Sequence, residues 1–527
     1  MSGPADRLNR VWINPRAGYE RSVRRMMARP REAARLRTPR AGLIMREHTD
    51  DRWFKTEQRA TLGRSLAERL ARTAGILSRA TGAGSGTNVP GRILERLSPQ
   101  YIADRAATLQ DGVVVVSGTN GKTTTASMIR DILGRQGYTV VSNQSGGNLG
   151  AGIASALLAA PSSASIGVFE VDEAALPHMI PMLRPKVLVL TNVFRDQLDR
   201  FGEPERVVEL LREAESLLPP GARVVANVDD SAMWEAVADA DPIGFGVVLP
   251  ANNFRPSPKA GPGPTSQATA ASEPETCPAC AGQLTVLRRA VANLGSFECD
   301  RCGWGSAWPD YRAVVRASGG LSGTIFELRG ILVTLPVGGI HNVYDAAAAV
   351  AAADVLGIPP VRSIAALEYF EPRFGRAEVL EVDGRPVWLA LIKNPAGAGM
   401  VIEEVASDPT IRVAVISVSD RPADGRDISW IWDTDFEWLV ARGIALIPSG
   451  RRAADVAVRL KYAGAASMPA LADPVAAVRA AQACDPGGAM VAVLATYTAM
   501  LDVRSALARG RVARVVDHPV AFTEPAQ

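Results

Sequence analysis

The chain has 527 residues, 47% of them hydrophobic and 21% charged, with a formal net charge of +3. That length predicts two to four domains with full cores, and the composition excludes a disordered or fibrous protein. No apolar run is long enough to span a bilayer and no signal-peptide core opens the chain, so a cytoplasmic location is expected; four histidines argue against a multi-histidine catalytic metal centre.

Residues 1–60 carry about twice as many Lys and Arg as Asp and Glu, and are expected to form a basic, disordered extension. An arm for anionic lipid or a targeting-like segment are the other readings. Residues 61–105 read as an N-terminal helical region, with Leu62, Leu66, Leu70, Ala74 and Leu77 on a stripe expected to pack on the protein.

The strongest signal follows. Val113-Val114-Val115-Val116 feeds Ser117-Gly118-Thr119-Asn120-Gly121-Lys122-Thr123-Thr124, and a helical pattern opens directly after. Backbone N–H groups, a helix N-terminus and one ammonium then surround a single point, which suits a polyphosphate. Gly118 and Gly121 allow close backbone approach, Lys122 reaches the β/γ oxygens, and the Thr123 hydroxyl serves Mg²⁺. A bare Gly-Lys-Thr is common by chance, so an incidental strand–turn–helix is the alternative.

Further strands are expected at Tyr138–Ser142, Ile166–Glu173, Val187–Thr191 and Ala222–Ala226, alternating with helices, which predicts a parallel doubly wound sheet. Glu170, Asp172 and Glu173 stand at a strand end beside the phosphate loop, where a second Mg²⁺ ligand belongs unless they only solvate the terminus. Pro250 to Thr276 reads as a linker. Cys277-Pro-Ala-Cys280 and Cys299-Asp-Arg-Cys302 have the spacing of two zinc knuckles; a redox pair or no ligand are the alternatives. Four sulfur ligands would leave no open position, so structural Zn²⁺ is expected there. Nucleic acid is not expected as a partner, because Arg288, Arg289 and Arg301 are few and stand near Glu298 and Asp300. Cys484 reads as a buried small hydrophobe.

Residues 118–125, the acidic strand end, residues 192–200 (NVFRDQLDR), 227–231 (NVDDS) and 338–342 (GGIHN) together resemble the Mur ligase family. Residues 393–397 (KNPAG) and 423–433 (ADGRDISWIWD) resemble its MurT-type branch. The resemblance implies an α/β fold: a central P-loop-like ATPase domain with a parallel sheet at 106–372, a zinc ribbon inserted at about 270–310, and a C-terminal Rossmann-like α/β domain at 373–527.

It also implies an activity. ATP would phosphorylate the α-carboxylate of D-glutamate in lipid II, and ammonia from a class-I-like glutaminase subunit would displace phosphate to give D-isoglutamine, at the inner face of the membrane. By position, Gly118, Thr119, Asn120, Gly121, Lys122, Thr123 and Thr124 would cradle the triphosphate, and Thr123 with Glu170 or Glu173 would hold Mg²⁺. Asn342 and Arg376 would contact the nucleotide, and Asn394 its ribose. Asp427, or else Asp424, would complete the glutaminase Cys–His pair, unless it merely caps a helix.

Several positions depart from the family pattern. Gln197 replaces a common His, and no lysine lies between Glu203 and Pro258 to be carbamylated. Asp345, Gly399, Ser419 and Ala151 stand where Asn, Asn, Asn and Arg are expected. These departures keep two other functions open: a ligase joining another carboxylate and amine, and a nucleotide-binding interaction subunit with weakened catalysis.

Overall fold

Two mostly parallel β-sheets organise the chain, and their strand order explains where the phosphate loop sits. The computed structural model describes residues 65–78, 88–143, 147–194, 204–250, 276–277, 279–291, 294–371, 376–485, 487 and 490–509. The basic segment 1–60, nearly all of the linker from Pro250, residues 195–200 with Gln197, and the expected boundary at Pro372 lie outside these residues. Residues 63–527 form one compact unit.

The larger sheet contains β1 (Gly112–Ser117), β2 (Val140–Ser142), β3 (Ile166–Glu170), β4 (Val187–Leu190), β5 (Arg223–Asn227) and β6 (Ile243–Val248). A hairpin of β7 (Leu284–Val291) and β8 (Leu294–Cys299) interrupts it before β9 (Tyr311–Ser318), β10 (Thr324–Leu328) and β11 (Ile331–Leu335) complete the edge. The order is β11-β10-β9-β6-β5-β4-β1-β3-β2, parallel from β2 through β9 and antiparallel beyond. β1 is therefore internal, flanked by β3 and β4.

That position requires a strand buried on both faces, and the valine run supplies it. Val114 and Val116 face one core and Val113 and Val115 the opposite one. The first core is closed by α3 (Lys122–Arg135) and α5 (Ile340–Val355), and the second includes α4 (Gly150–Ala159). Ala346 through Ala353 of α5 are wholly buried, and their small side chains let that helix lie close against its neighbours.

The N-terminal helix α1 (65–78) and α2 (Val89–Leu97) cover one end. Here the leucine expectation is corrected. Leu66, Leu70 and Leu77 are 59%, 49% and 59% exposed, whereas Ala67, Ala71 and Gly75 form the buried face. A Cβ on Gly75 would lie 2.9 Å from Pro90 Cγ, so this helix packs too close for a leucine stripe and small residues face inward. Among the described residues, no helix is long and apolar enough to cross a membrane.

The smaller sheet comprises β12 (Arg376–Val382), β13 (Arg385–Leu391), β14 (Val413–Ser417), β15 (Ala445–Ser449) and β16 (Val491–Ala495), in the order β12-β13-β16-β14-β15. Only β12 pairs antiparallel. Its helix α6 (Pro395–Ser407) runs along the seam with the larger layer, where Asp408 accepts a hydrogen bond from Leu321 N at 3.0 Å.

Candidate active site

The loop after β1 is shaped by two glycines. Gly118 has φ +122°, and a Cβ there would lie 2.9 Å from Asn192 N; Gly121 has φ +83° and caps α3, and a Cβ there would strike the Asp345 carboxylate. Both positions thus need glycine for conformation and for space. Residues after β4 hold the loop: Thr119 N donates to Asn192 O at 2.8 Å, Asn120 N to Asn192 Oδ1 at 2.8 Å, and Thr191 Oγ1 to Asn120 O at 2.7 Å.

The charged groups converge on α3. Lys122 is 7% exposed, donates to Gly118 O and to Thr119 O (3.2 Å), and pairs with Glu173 Oε2 at 3.1 Å. Burial pushes the Glu173 carboxyl up, but Lys122 and then Lys393 outweigh it and hold the group below its ordinary value. Thr123 Oγ1 donates to Glu170 Oε2, and Asn143 fixes Glu170 through its backbone N (2.9 Å) and O (2.7 Å). Thr123 and Glu170 therefore meet, whereas Glu173 belongs to Lys122.

The smaller layer reaches the same loop. Lys393 Nζ donates to Thr119 O at 2.9 Å, and the Asn394 and Asn120 side-chain amides exchange two hydrogen bonds of 3.3 Å. Asn394 also caps α6 by accepting from Gly397 N at 2.7 Å. A cavity of about 420 Å³ lies between the layers, lined by residues 119–124, Glu170, Glu173, Asn342, Lys393 and others. Asn342 donates to Gly338 O at 2.5 Å. The Arg376 backbone opens β12; its side chain lies outside the description.

The departures find places. Asp345 accepts from Thr125 Oγ1 at 2.9 Å, joining α5 to α3 beside the loop. Ala151 is buried, and its backbone lies against Gly91, where a Cβ would overlap the Ala151 carbonyl. Ser419 is buried, and its hydroxyl shares a hydrogen bond of 2.9 Å with Thr498 Oγ1. A Cβ at Gly399 would meet nothing within 4 Å.

The two acids of residues 423–433 differ sharply. Asp424 is buried and accepts from Thr498 N (2.7 Å) and Thr498 Oγ1, tying its loop to the helix that begins at Tyr497. Asp427 is exposed and accepts from Ser429 N (2.8 Å) and Ser429 Oγ (3.0 Å). In the hairpin, the sulfurs of Cys277, Cys280, Cys299 and Cys302 all lie within 4.8 Å of one another. The exposed Cys484 departs from its expected burial, because it ends its helix.

Sequence reasoning missed Glu404. It is buried on α6, and burial, reinforced by the Asp408 charge, pushes its carboxyl up to about 8. The signal was available: Met400, Val401, Glu404 and Val405 share the inward stripe of an otherwise apolar helix, so an acid there is out of pattern.

A phosphate loop on a parallel sheet, closed by a second α/β layer bearing its own lysine and asparagine, defines a Mur-type ligase. The profile of the Mur ligase middle domain matches residues 116–255, and that of the MurT ligase C-terminal domain matches 391–500. The chain is 32% identical over 437 residues to the lipid II isoglutaminyl synthase (glutamine-hydrolyzing) subunit MurT of Streptococcus pneumoniae, covering 82% of this chain and 94% of that protein. The Staphylococcus aureus (strain COL) protein of the same name is 31% identical over 398 residues, covering 75% and 86%. Among solved structures, a pseudomurein peptide ligase type C from Methanothermus fervidus shares the fold with a TM-score of 0.59 at 21% identity, over 76% of this chain and 79% of that one. The MurF ligase of Thermotoga maritima in complex with ADP gives 0.55 at 17%, over 80% and 84%. The chain belongs to the MurT family.

Glu404 makes a pH-dependent prediction. Folded, it keeps its proton up to about pH 8, whereas the ordinary value is 4.5. Folding therefore takes up a proton between those limits, and stability falls as the pH rises through them. The slope is at most about 1.4 kcal/mol per pH unit. Thermal melts across that window should show wild type losing stability relative to Glu404→Gln; parallel pH profiles would mean that the carboxyl titrates normally.

Proposed function

We infer that this chain is the synthetase subunit of a glutamine-hydrolysing amidotransferase that converts the D-glutamate α-carboxylate of lipid II to D-isoglutamine. One observation carries the reading: a phosphate loop whose Thr119 and Asn120 are met across a single cavity by Lys393 and Asn394, within the region that matches the MurT C-terminal domain.

The residues fit the chemistry. Gly118 to Thr124 would cradle the triphosphate of ATP, with Lys122 exchanging its Glu173 partner for phosphate oxygens. Thr123 and Glu170, already in contact, are the donor set for Mg²⁺, which when bound neutralises phosphate charge. A carboxylate oxygen of the substrate forms a bond to the γ-phosphorus while the bond to the β-phosphate oxygen breaks, giving an acyl phosphate and ADP. Ammonia then attacks the acyl carbon, inorganic phosphate leaves, and the nitrogen gives up a proton. Lys122 and Lys393 stabilise the charge that builds on the transferring group. Asn394 would take the ribose, and Asn342 and Arg376 the rest of the nucleoside.

Ammonia would come from a class-I-like glutaminase bound to this subunit, working at the inner face of the membrane where the lipid II head group is presented. Asp427 supports that pairing better than Asp424: it is exposed, whereas Asp424 is spent on Thr498. The four clustered thiols suit structural Zn²⁺ and leave no coordination position for substrate.

Lys122→Ala should reduce ATP turnover dependent on lipid II and ammonium by about 100-fold or more; a wild type no faster than this variant would overturn the ligase reading. Asp427→Asn should remove glutamine-dependent amidation and spare ammonium-dependent amidation, so loss of both or of neither argues against a role in the glutaminase triad. Metal analysis should find one zinc per chain, with Cys299→Ser lowering both zinc content and melting temperature; an unchanged melt after complete chelation would rule out a structural metal.

A further inference from the structure

The face that α1 turns to water is the apolar one. Ala67, Ala71 and Gly75 pack inward, and the leucines are left outside. At about 3.6 residues per turn, Leu66, Leu70 and Leu77 fall within about 40° of one another around the helix axis. Ile76, 61% exposed, borders them. Thr73, which stands between them, donates its hydroxyl to Arg69 O at 3.0 Å and so keeps that hydrogen bond within the helix. Val89 and Leu97 of α2 add further exposed apolar surface at the same end. A contiguous patch of this kind marks a contact surface.

The charges around the patch have one sign. Arg69 and Arg72 are exposed on α1, whereas its single acid, Glu68, is half-buried toward Tyr101. The whole chain is polarised in the same sense. Residues 1–80 hold 19 Lys and Arg against 8 Asp and Glu, and residues 81–527 hold 39 against 47. The most basic part of the sequence therefore leads directly into the helix with the outward leucines. Those charges decide between occupants. A second copy of α1, or the chain's own first residues, would bring Arg69 and Arg72 against more positive charge. An anionic lipid surface suits both features: head groups meet the arginines while the acyl boundary takes the leucines. One short apolar stripe anchors weakly, and a basic tract beside it supplies the second signal that stable binding needs.

We propose that the outer face of α1, with the basic segment that precedes it, docks this subunit on an anionic phospholipid membrane. The position of α1 gives the docking a use, which rests on the lipid II reading above. Asn148 lines the cavity that holds the phosphate loop, and its carbonyl accepts from Asp172 N at 3.0 Å. At the adjacent Gly147 a Cβ would lie 2.6 Å from Asn88 Oδ1, where α2 begins, and Pro90 of α2 is the residue that touches Gly75 of α1. A short path of packed residues thus joins the docking helix to the cavity wall, so a lipid-linked substrate and the cavity are held at one surface.

Flotation of the full chain with phospholipid vesicles tests this. Wild type should bind phosphatidylcholine vesicles containing about 30% phosphatidylglycerol at least about tenfold more tightly than phosphatidylcholine alone. Raising salt from about 0.1 M to about 1 M, which shortens the screening length from about 10 Å to about 3 Å, should release most of the bound protein. Equal binding to the two vesicles, or binding to neither, would overturn the proposal without any variant. Leu66→Gln, Leu70→Gln and Leu77→Gln together should weaken vesicle binding by about tenfold or more and keep the wild-type melting temperature, because all three side chains already face water. Wild-type affinity in that variant would assign the stripe to a second copy or to the chain's own first residues, and would overturn the membrane assignment. The same variant should lose amidation of lipid II presented in vesicles and keep that of lipid II in detergent micelles; equal turnover of both would overturn the presenting role. The binding vesicles contain no lipid II, so a wild type that docks but amidates nothing would support the docking and remove the lipid II reading.

Discussion

A buried ammonium sets the plan of this molecule. Lys122 sits at the carboxyl edge of a parallel sheet with almost no access to water, and an unpaired charge there would cost several kcal/mol. Its compensation comes from Gly118 O, Thr119 O and the Glu173 carboxylate. Those partners fix the turn after β1 and the path of the chain after β3. Thr119 O is shared with Lys393 of the smaller layer, so the lysine arrangement also sets where the second layer meets the first. Three segments distant in sequence thus depend on one charge.

The parallel α/β architecture was legible in the sequence because its signals are local. An unbroken run of valines can only be a strand covered on both sides, and a glycine loop followed by a helix leaves few other geometries. The ends of elements were less legible: Tyr138 and Thr139 precede β2, and α3 begins at Lys122, directly inside the loop motif. What the sequence could not show is which of two plausible stripes faces inward. In α1, leucines and small residues both recur at helical spacing, and only the approach of Pro90 to Gly75 decides between them.

The same limit governs the site. Asp424 and Asp427 look equivalent in a loop of acids, and the difference between them comes from Thr498, which lies seventy-four residues away from Asp424. Asn120 and Asn394 read as separate motif positions until they form a reciprocal amide pair. Glu404 could be flagged as an acid on an apolar stripe, but its meaning depends on Gly338 and Gly339 of a distant loop lying against its carboxyl. Local pattern identifies the chemistry-bearing groups; tertiary contact decides which are partners and which are exposed.

The reciprocal amide pair has a consequence for how the two layers respond to solvent. It carries no net charge, Leu321 N on Asp408 places one charged group against a neutral partner, and Lys393, which donates to a carbonyl, meets an opposite charge only in Glu173, which is buried. Salt, which screens charge against charge over about 10 Å at 0.1 M, has little purchase on such contacts. Urea, which solvates peptide and amide groups directly, has a great deal. The seam should therefore loosen in mild denaturant well before concentrated salt disturbs it, separating the layers while each sheet remains folded.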